Sequence, residues 1–238
     1  MKRVLIVKTG GTMPEVRARR GDYEEWVASG IGLARGDVDV VDVASGGKLP
    51  EPDAPAGVVV TGSSAMVSQR EPWSERTGEW LAKAVDRGTP VLGICYGHQL
   101  LAHALGGEVG RNPRGREIGT VEVRRLAPAQ RDPLLGSWGA AEPAHVTHVE
   151  SVLALPEGAV RLAESDLDPV QAFRVGERAW GVQFHPEFDA DTVRAYLTAR
   201  TEKVRSEGLD PEALQAAIRE TPVAARILRR FAELIRSA

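Results

Sequence analysis

Two short stretches hold side chains able to do covalent chemistry. Gly93-Ile94-Cys95-Tyr96-Gly97 has the G-x-nucleophile-x-G form of a sharp strand-to-helix turn, with the chain's one cysteine at its crest. The flanking glycines permit the tight turn, where side chains would clash with neighbouring backbone. A sulfur on this crest lies beside the free N–H groups that open a helix, and their partial positive charge favours the thiolate. At an ordinary thiol pKa near ~8.5 only about 3% of the sulfur is ionised at pH 7. A pKa of roughly 6.5 would raise that to around three quarters. The same N–H groups can hold the oxyanion of a tetrahedral intermediate.

A thiol nucleophile needs a base, and the chain has 5 histidines. His98 and His103 fall on the helix after the turn, about 140° apart around it, and read as surface residues or as support behind the site. His145 and His148 are three apart in a strand-like segment, so they point to opposite faces, which argues against a shared metal. His185, in Gly181-Val182-Gln183-Phe184-His185-Pro186-Glu187-Phe188, stands at the C-terminal end of an apolar strand. That is the edge where open α/β sheets place their sites. Glu187 is two residues on, on the side from which a carboxylate can orient the imidazole. Cys95, His185 and Glu187 together would make a thiol acyl-transfer site.

Positioning these groups requires an alternating framework. Val4–Val7 is a short apolar run suited to a buried parallel strand, ending at the glycine turn Lys8-Thr9-Gly10-Gly11-Thr12. Val38–Val43 and Gly57–Thr61 read as further strands around the proline-rich loop Leu49–Ala56. A helix capped by Ser74 runs to Asp86, Pro90–Ile94 is a strand, and His98–Leu105 is a helix closed by Gly106-Gly107. This order predicts an open, mostly parallel α/β sheet with helices on both faces. From Ile118 to Phe184 short strand-like segments follow one another, which predicts antiparallel strands and a small secondary antiparallel sheet. From Asp189 the pattern is helical, with breaks at Gly208, Pro211 and Thr221-Pro222, where Pro222 suits the first position of the last helix. We therefore expect residues 1–188 to form the domain bearing the site, and 189–238 a helical extension packed on it.

The two motifs, Gly93-Ile94-Cys95-Tyr96-Gly97-His98-Gln99 and Gln183-Phe184-His185-Pro186-Glu187, lie in this order some 90 residues apart. Together they resemble the class I glutamine amidotransferases, and within them stand-alone proteins similar to the glutaminase domain of GMP synthase. The resemblance spans about residues 1–188 and implies the flavodoxin-like amidotransferase fold. It implies that Cys95 attacks the side-chain amide of L-glutamine, that His185 gives the departing ammonia its proton with Glu187 as partner, and that water hydrolyses the γ-glutamyl thioester. The backbone N–H groups of Tyr96 and Gly62 would form the oxyanion hole. Gln99 and the backbone around Thr147-His148-Val149-Glu150 would hold the amino-acid end of glutamine. The last segment departs from the family's frequent Ser-His-Gly-Asp. The chemistry so implied needs no metal and no cofactor, but it does need an acceptor for ammonia. Ser45-Gly46-Gly47-Lys48-Leu49 lacks the Asp-Ser of an ATP-pyrophosphatase loop and reads as a turn, so a separate synthetase or acceptor enzyme is the expected partner. Two rivals stay open: a γ-glutamyl hydrolase using the same triad, and a regulatory subunit whose triad is silent.

Composition narrows the setting. The 238 residues are 42% hydrophobic and 26% charged, with 30 basic and 33 acidic side chains and a net charge of −3. No overall field attracts nucleic acid or an anionic membrane. One cysteine precludes an internal disulfide framework and a cysteine-based zinc site. No apolar run approaches the roughly 20 residues that span a bilayer, and the N-terminal apolar core is too short for a signal peptide. A cytoplasmic setting is the expectation; self-association is left open. Lys8–Thr12 reads as a strand-end turn, Trp73 and Trp80 as packing residues, and Arg111, Arg114 and Arg116 as members of a solvated loop.

Overall fold

Valine and isoleucine crowd the first half of the chain in short runs, and such runs form strands buried on both faces. The computed structural model describes residues 2–236. Strand β1 (Val4–Lys8) is followed by helices α1 (Pro14–Arg20) and α2 (Tyr23–Ile31), then strands β2 (Val38–Asp42) and β3 (Gly57–Val60). Helix α3 (Pro72–Asp86) leads to β4 (Val91–Ile94) and α4 (Tyr96–Ala104). Strands β5 (Glu108–Arg111), β6 (Glu117–Arg125), β7 (Ala141–His148), β8 (Glu150–Ala154), β9 (Val160–Glu164), β10 (Ala172–Val175) and β11 (Ala179–Val182) come next. Helices α5 (Ala190–Ala199), α6 (Thr201–Ser206), α7 (Pro211–Ala217) and α8 (Pro222–Arg236) close the chain.

Among the described residues the main sheet has the order β2-β1-β3-β4-β11-β10-β9-β6-β7, with β5 and β8 paired apart. Strands β2, β1, β3, β4 and β11 run parallel, in the doubly wound order that reverses direction between β1 and β3. The remaining neighbours are antiparallel. Most of the strands between residues 118 and 184 therefore extend the main sheet, and the small antiparallel sheet is the β5–β8 pair. Alternation along β1 sends Val4 and Ile6 to one face and Leu5 and Val7 to the other. The first face is covered by α2 and α8, the second by α3 and α4.

Two departures from the sequence reading have clear causes. Helices α1 and α2 are not among the elements expected from the sequence. The second is signalled by Asp22 and Glu25, which close a reciprocal capping box, and by Tyr23, Val27 and Ile31 on one buried stripe. Helix α3 starts two residues before Ser74, at Pro72 with Glu71 as its cap. Ser74 instead hydrogen-bonds the Tyr96 hydroxyl at 2.6 Å, tying α3 to the start of α4. The 45–49 segment is a turn as expected, closed by Gly46 N–H on the Val43 carbonyl at 3.1 Å. Trp73 and Trp80 pack against the core on the α3–α4 face, and Trp73 stacks on Tyr96. No helix of the described residues is long and apolar enough to cross a membrane.

Candidate active site

β4 is fully buried between β3 and β11, and its last residue hands the chain to Cys95, the cap of α4. The turn is too sharp for ordinary backbone: Cys95 takes φ 50° and ψ −98°, a strained conformation for a residue with a Cβ. It is held there from three sides. Cys95 N–H donates to the Val182 carbonyl at 2.9 Å, Gln99 N–H to the Cys95 carbonyl at 3.1 Å, and Gly97 N–H to the Thr61 carbonyl at 3.2 Å. A Cβ on Gly93 would stand 2.3 Å from the Gly97 carbonyl oxygen, and one on Gly97 would stand 2.4 Å from that of Val60. Both elbow glycines are thus required by close backbone approach. Tyr96 and Gly97 begin α4, so their N–H groups have no intrahelical partner.

β11 lies beside β4 in parallel register, Val182 opposite Ile94, so the residues after Val182 leave the sheet next to Cys95. His185 N–H is anchored to the His145 carbonyl at 2.8 Å. Its ring stacks on Phe188 with centroids 4.0 Å apart, and Tyr23 lies parallel at 6.3 Å on α2. Nδ1 meets Glu187 Oε1 at 2.7 Å, both side chains being buried. That contact leaves Nε2 as the nitrogen available for proton exchange. Nε2 has no partner of good hydrogen-bond geometry among the described residues, yet the ring is close enough to the sulfur for each to shift the other's ionisation. Such bonds often stand loose until substrate tightens them.

The electrostatics favour the charged pair. Burial pushes the Cys95 thiol up, but the His185 imidazolium outweighs it by charge and hydrogen bonding, helped by His148, and the net shift is downward. Burial likewise opposes the His185 charge, yet Glu187 and the Cys95 sulfur raise it to about 10. A thiolate beside an imidazolium is the state these shifts describe at neutral pH.

A cavity of about 150 Å³ opens beside the sulfur. Tyr96, Gln99, Thr147, Val149 and Glu150 all line it, together with Cys95. Gly62 stands behind, where a Cβ would come within 3.0 Å of His185 Cε1. The strand-end turn after β1 secures that loop, Thr9 Oγ1 donating to the Gly62 carbonyl at 3.1 Å. Gln99 Nε2 donates to the Glu150 carbonyl at 2.7 Å and to Gln183 Oε1 at 2.9 Å, which leaves its oxygen for a ligand. The Glu150 carboxylate accepts from Ser68 N–H and hydroxyl, so it ties the cavity wall to the loop after β3.

Arg116 departs from its sequence-based placement, whereas His98 and His103 fall within theirs, one as support behind the site and one near the surface. His98 is wholly buried under α4 against Phe173, and burial draws its pKa down to about 4. His103 stays near the surface and meets Glu75 at 3.0 Å. Arg116 is not solvated: Glu207 grips it through two contacts of 2.6 and 3.2 Å, because the C-terminal helices fold back over β6. His148 faces Glu117 at 3.1 Å and the Glu150 carbonyl at 2.9 Å. Burial opposes its charge, while Glu117 and Asp168 hold it protonated more readily than an ordinary histidine. No sequence spacing announces that, since its charged partners lie far away in the chain. Among the described residues no group of three or more His, Cys, Asp or Glu is placed to hold a metal.

The sequence profile of the class-I glutamine amidotransferases matches residues 22–201. The chain belongs to this family. Among its relatives is the glutamine-hydrolysing GMP synthase of Aeropyrum pernix, 39% identical over 188 residues, which cover 77% of this chain and 32% of the relative. The chain thus spans about a third of that protein's length. Gamma-glutamyl peptidase 5 of Arabidopsis thaliana is 33% identical over 139 residues, covering 57% of this chain and 55% of the relative. In structure, a glutamine amidotransferase of Thermotoga maritima superposes with a TM-score of 0.75 at 25% identity, covering 100% of this chain and 99% of its own. The match runs past residue 188 through α5, which packs on β6 and β7 and carries Tyr196 beside Phe188.

Proposed function

We propose that the chain hydrolyses L-glutamine to glutamate and ammonia through a γ-glutamyl thioester on Cys95. The observation that carries this reading is the elbow cysteine on the wall of a small cavity, with His185 held by Glu187 on the adjacent strand end. The thiolate attacks the amide carbon and forms the C–S bond. The oxyanion that develops is met by the N–H groups of Tyr96 and Gly62. His185, held by Glu187, passes its proton to the departing nitrogen, and the C–N bond breaks to release ammonia. Water, deprotonated by the now neutral His185, then attacks the thioester carbon, the C–S bond breaks, and glutamate leaves. Gln99 Oε1 and the backbone of residues 147–150, with Thr147, Val149 and Glu150 on the wall, receive the amino-acid end. Ammonia goes to a partner synthetase or another acceptor enzyme, a reading supported by the relation to GMP synthase.

The test is ammonia release from glutamine by the chain alone and with co-purifying proteins. Cys95→Ala should lose about 10⁴-fold or more in rate. Equal rates for the two forms would remove Cys95 from the mechanism. A second reading, hydrolysis of γ-glutamyl bonds with larger leaving amines, is favoured by the likeness to gamma-glutamyl peptidase 5. Faster turnover of a γ-glutamyl dipeptide than of glutamine would select it.

A further inference from the structure

Two arginines line the cavity beside Cys95, Arg116 and Arg200, and they are not equivalent. Arg116 is committed to Glu207 by a two-point contact. Arg200 sits at the junction of α5 and α6, and its guanidinium lies over the Tyr196 ring, 4.8 Å from the centroid. Its Nη1 is shielded from water and has no hydrogen-bond partner among the described residues. A desolvated cationic donor left unpaired is unfavourable at rest and a strong receptor for an anion, above all for a carboxylate that matches its planar fork. The tyrosine face beneath it holds the guanidinium by a cation–π contact. The other charged groups on the cavity wall already have partners: Glu150 holds Ser68 and His148 holds Glu117.

We propose that Arg200 is the residue that recognises the substrate's α-carboxylate, so that the site takes γ-glutamyl compounds whose α-carboxylate is free and discriminates against those in which it is capped. This inference rests on the reading of Cys95 as the nucleophile of a γ-glutamyl transfer site. It assigns a substrate-binding role to the C-terminal helical region, because Arg200 and Glu207, the anchor of Arg116, cap the two ends of α6. Arg200 positions substrate and takes no part in the bond changes.

The experiment uses the full chain and two affinity reagents, the chloroketone analogue of L-glutamine and the same molecule with its α-carboxylate converted to a carboxamide. Labelling of Cys95 is followed by mass spectrometry, and iodoacetamide serves as a small reagent that needs no substrate recognition. The wild-type chain should react with the carboxylate reagent about ten- to a hundred-fold faster than with the carboxamide. In Arg200→Gln the ratio should collapse to within about three-fold, through loss of the carboxylate reaction alone, and Arg200→Lys should recover part of it. A variant that keeps the wild-type ratio, or that slows both reagents equally, overturns the assignment and leaves the thiol chemistry standing. A wild-type chain labelled by iodoacetamide but by neither chloroketone overturns both the assignment and the reading of the site on which it rests.

Discussion

Burial by itself would make Cys95 a poor nucleophile, because a thiolate without water or a partner is costly. The His185 charge reverses that, and the sign of the pH dependence follows. With Cys95 shifted down and His185 raised to about 10, the ion pair persists through neutral pH. Alkylation of Cys95 by iodoacetamide should therefore be flat from neutral into mildly alkaline pH and decline in acid as the sulfur takes up a proton. In His185→Asn the opposing charge is gone and burial remains, so the thiol pKa moves up, and the rate at pH 7 should drop about ten-fold or more. An unchanged rate and profile in that variant would mean that the imidazole does not set the thiol's ionisation. His148 adds a smaller contribution of the same sign, which is why some reactivity should survive the substitution.

At the scale of elements, the proposed chemistry depends on β4 and β11 ending side by side and on an elbow whose glycines are closely approached by backbone. Gly97→Ala should be destabilised by about 1–3 kcal/mol in urea unfolding and lose most activity, because its Cβ meets the Val60 backbone and the elbow must shift. Wild-type stability and turnover in that variant would show that the elbow tolerates a side chain. The elbow and the His-Pro-Glu strand end were legible in the sequence because each is local, a strand followed at once by its turn chemistry. Helix α2 was hidden behind the charged run Arg17-Ala18-Arg19-Arg20, although Asp22 and Glu25 mark its start. The antiparallel strands could be recognised one by one, but alternation does not say which sheet a strand joins. Arg116 and Arg200 were illegible as cavity residues, since the wall they share is assembled from segments far apart in the chain.

At the scale of the whole molecule, the helices after residue 188 are more than an appendage. Ala224, Ile227, Leu228, Phe231 and Ala232 form one stripe of α8 that covers the sheet face carrying Ile6, Val59 and Trp180. Phe231 is fully buried and packs edge-on to Trp180 with centroids 6.2 Å apart. We propose on this ground that residues 189–238 belong to the same folding unit as 1–188. Phe231→Ala should then lower unfolding stability by about 3–5 kcal/mol, read from its urea midpoint. A loss below about 1 kcal/mol would argue that α8 can leave the sheet without consequence.

The central claim is a covalent γ-glutamyl intermediate on one sulfur. Acid-quenching the chain during turnover of glutamine and mapping the modified peptide by mass spectrometry tests it directly. The account predicts one γ-glutamyl group on the peptide containing Cys95, lost again when substrate is exhausted. Glutamine turnover with that peptide never modified would contradict it.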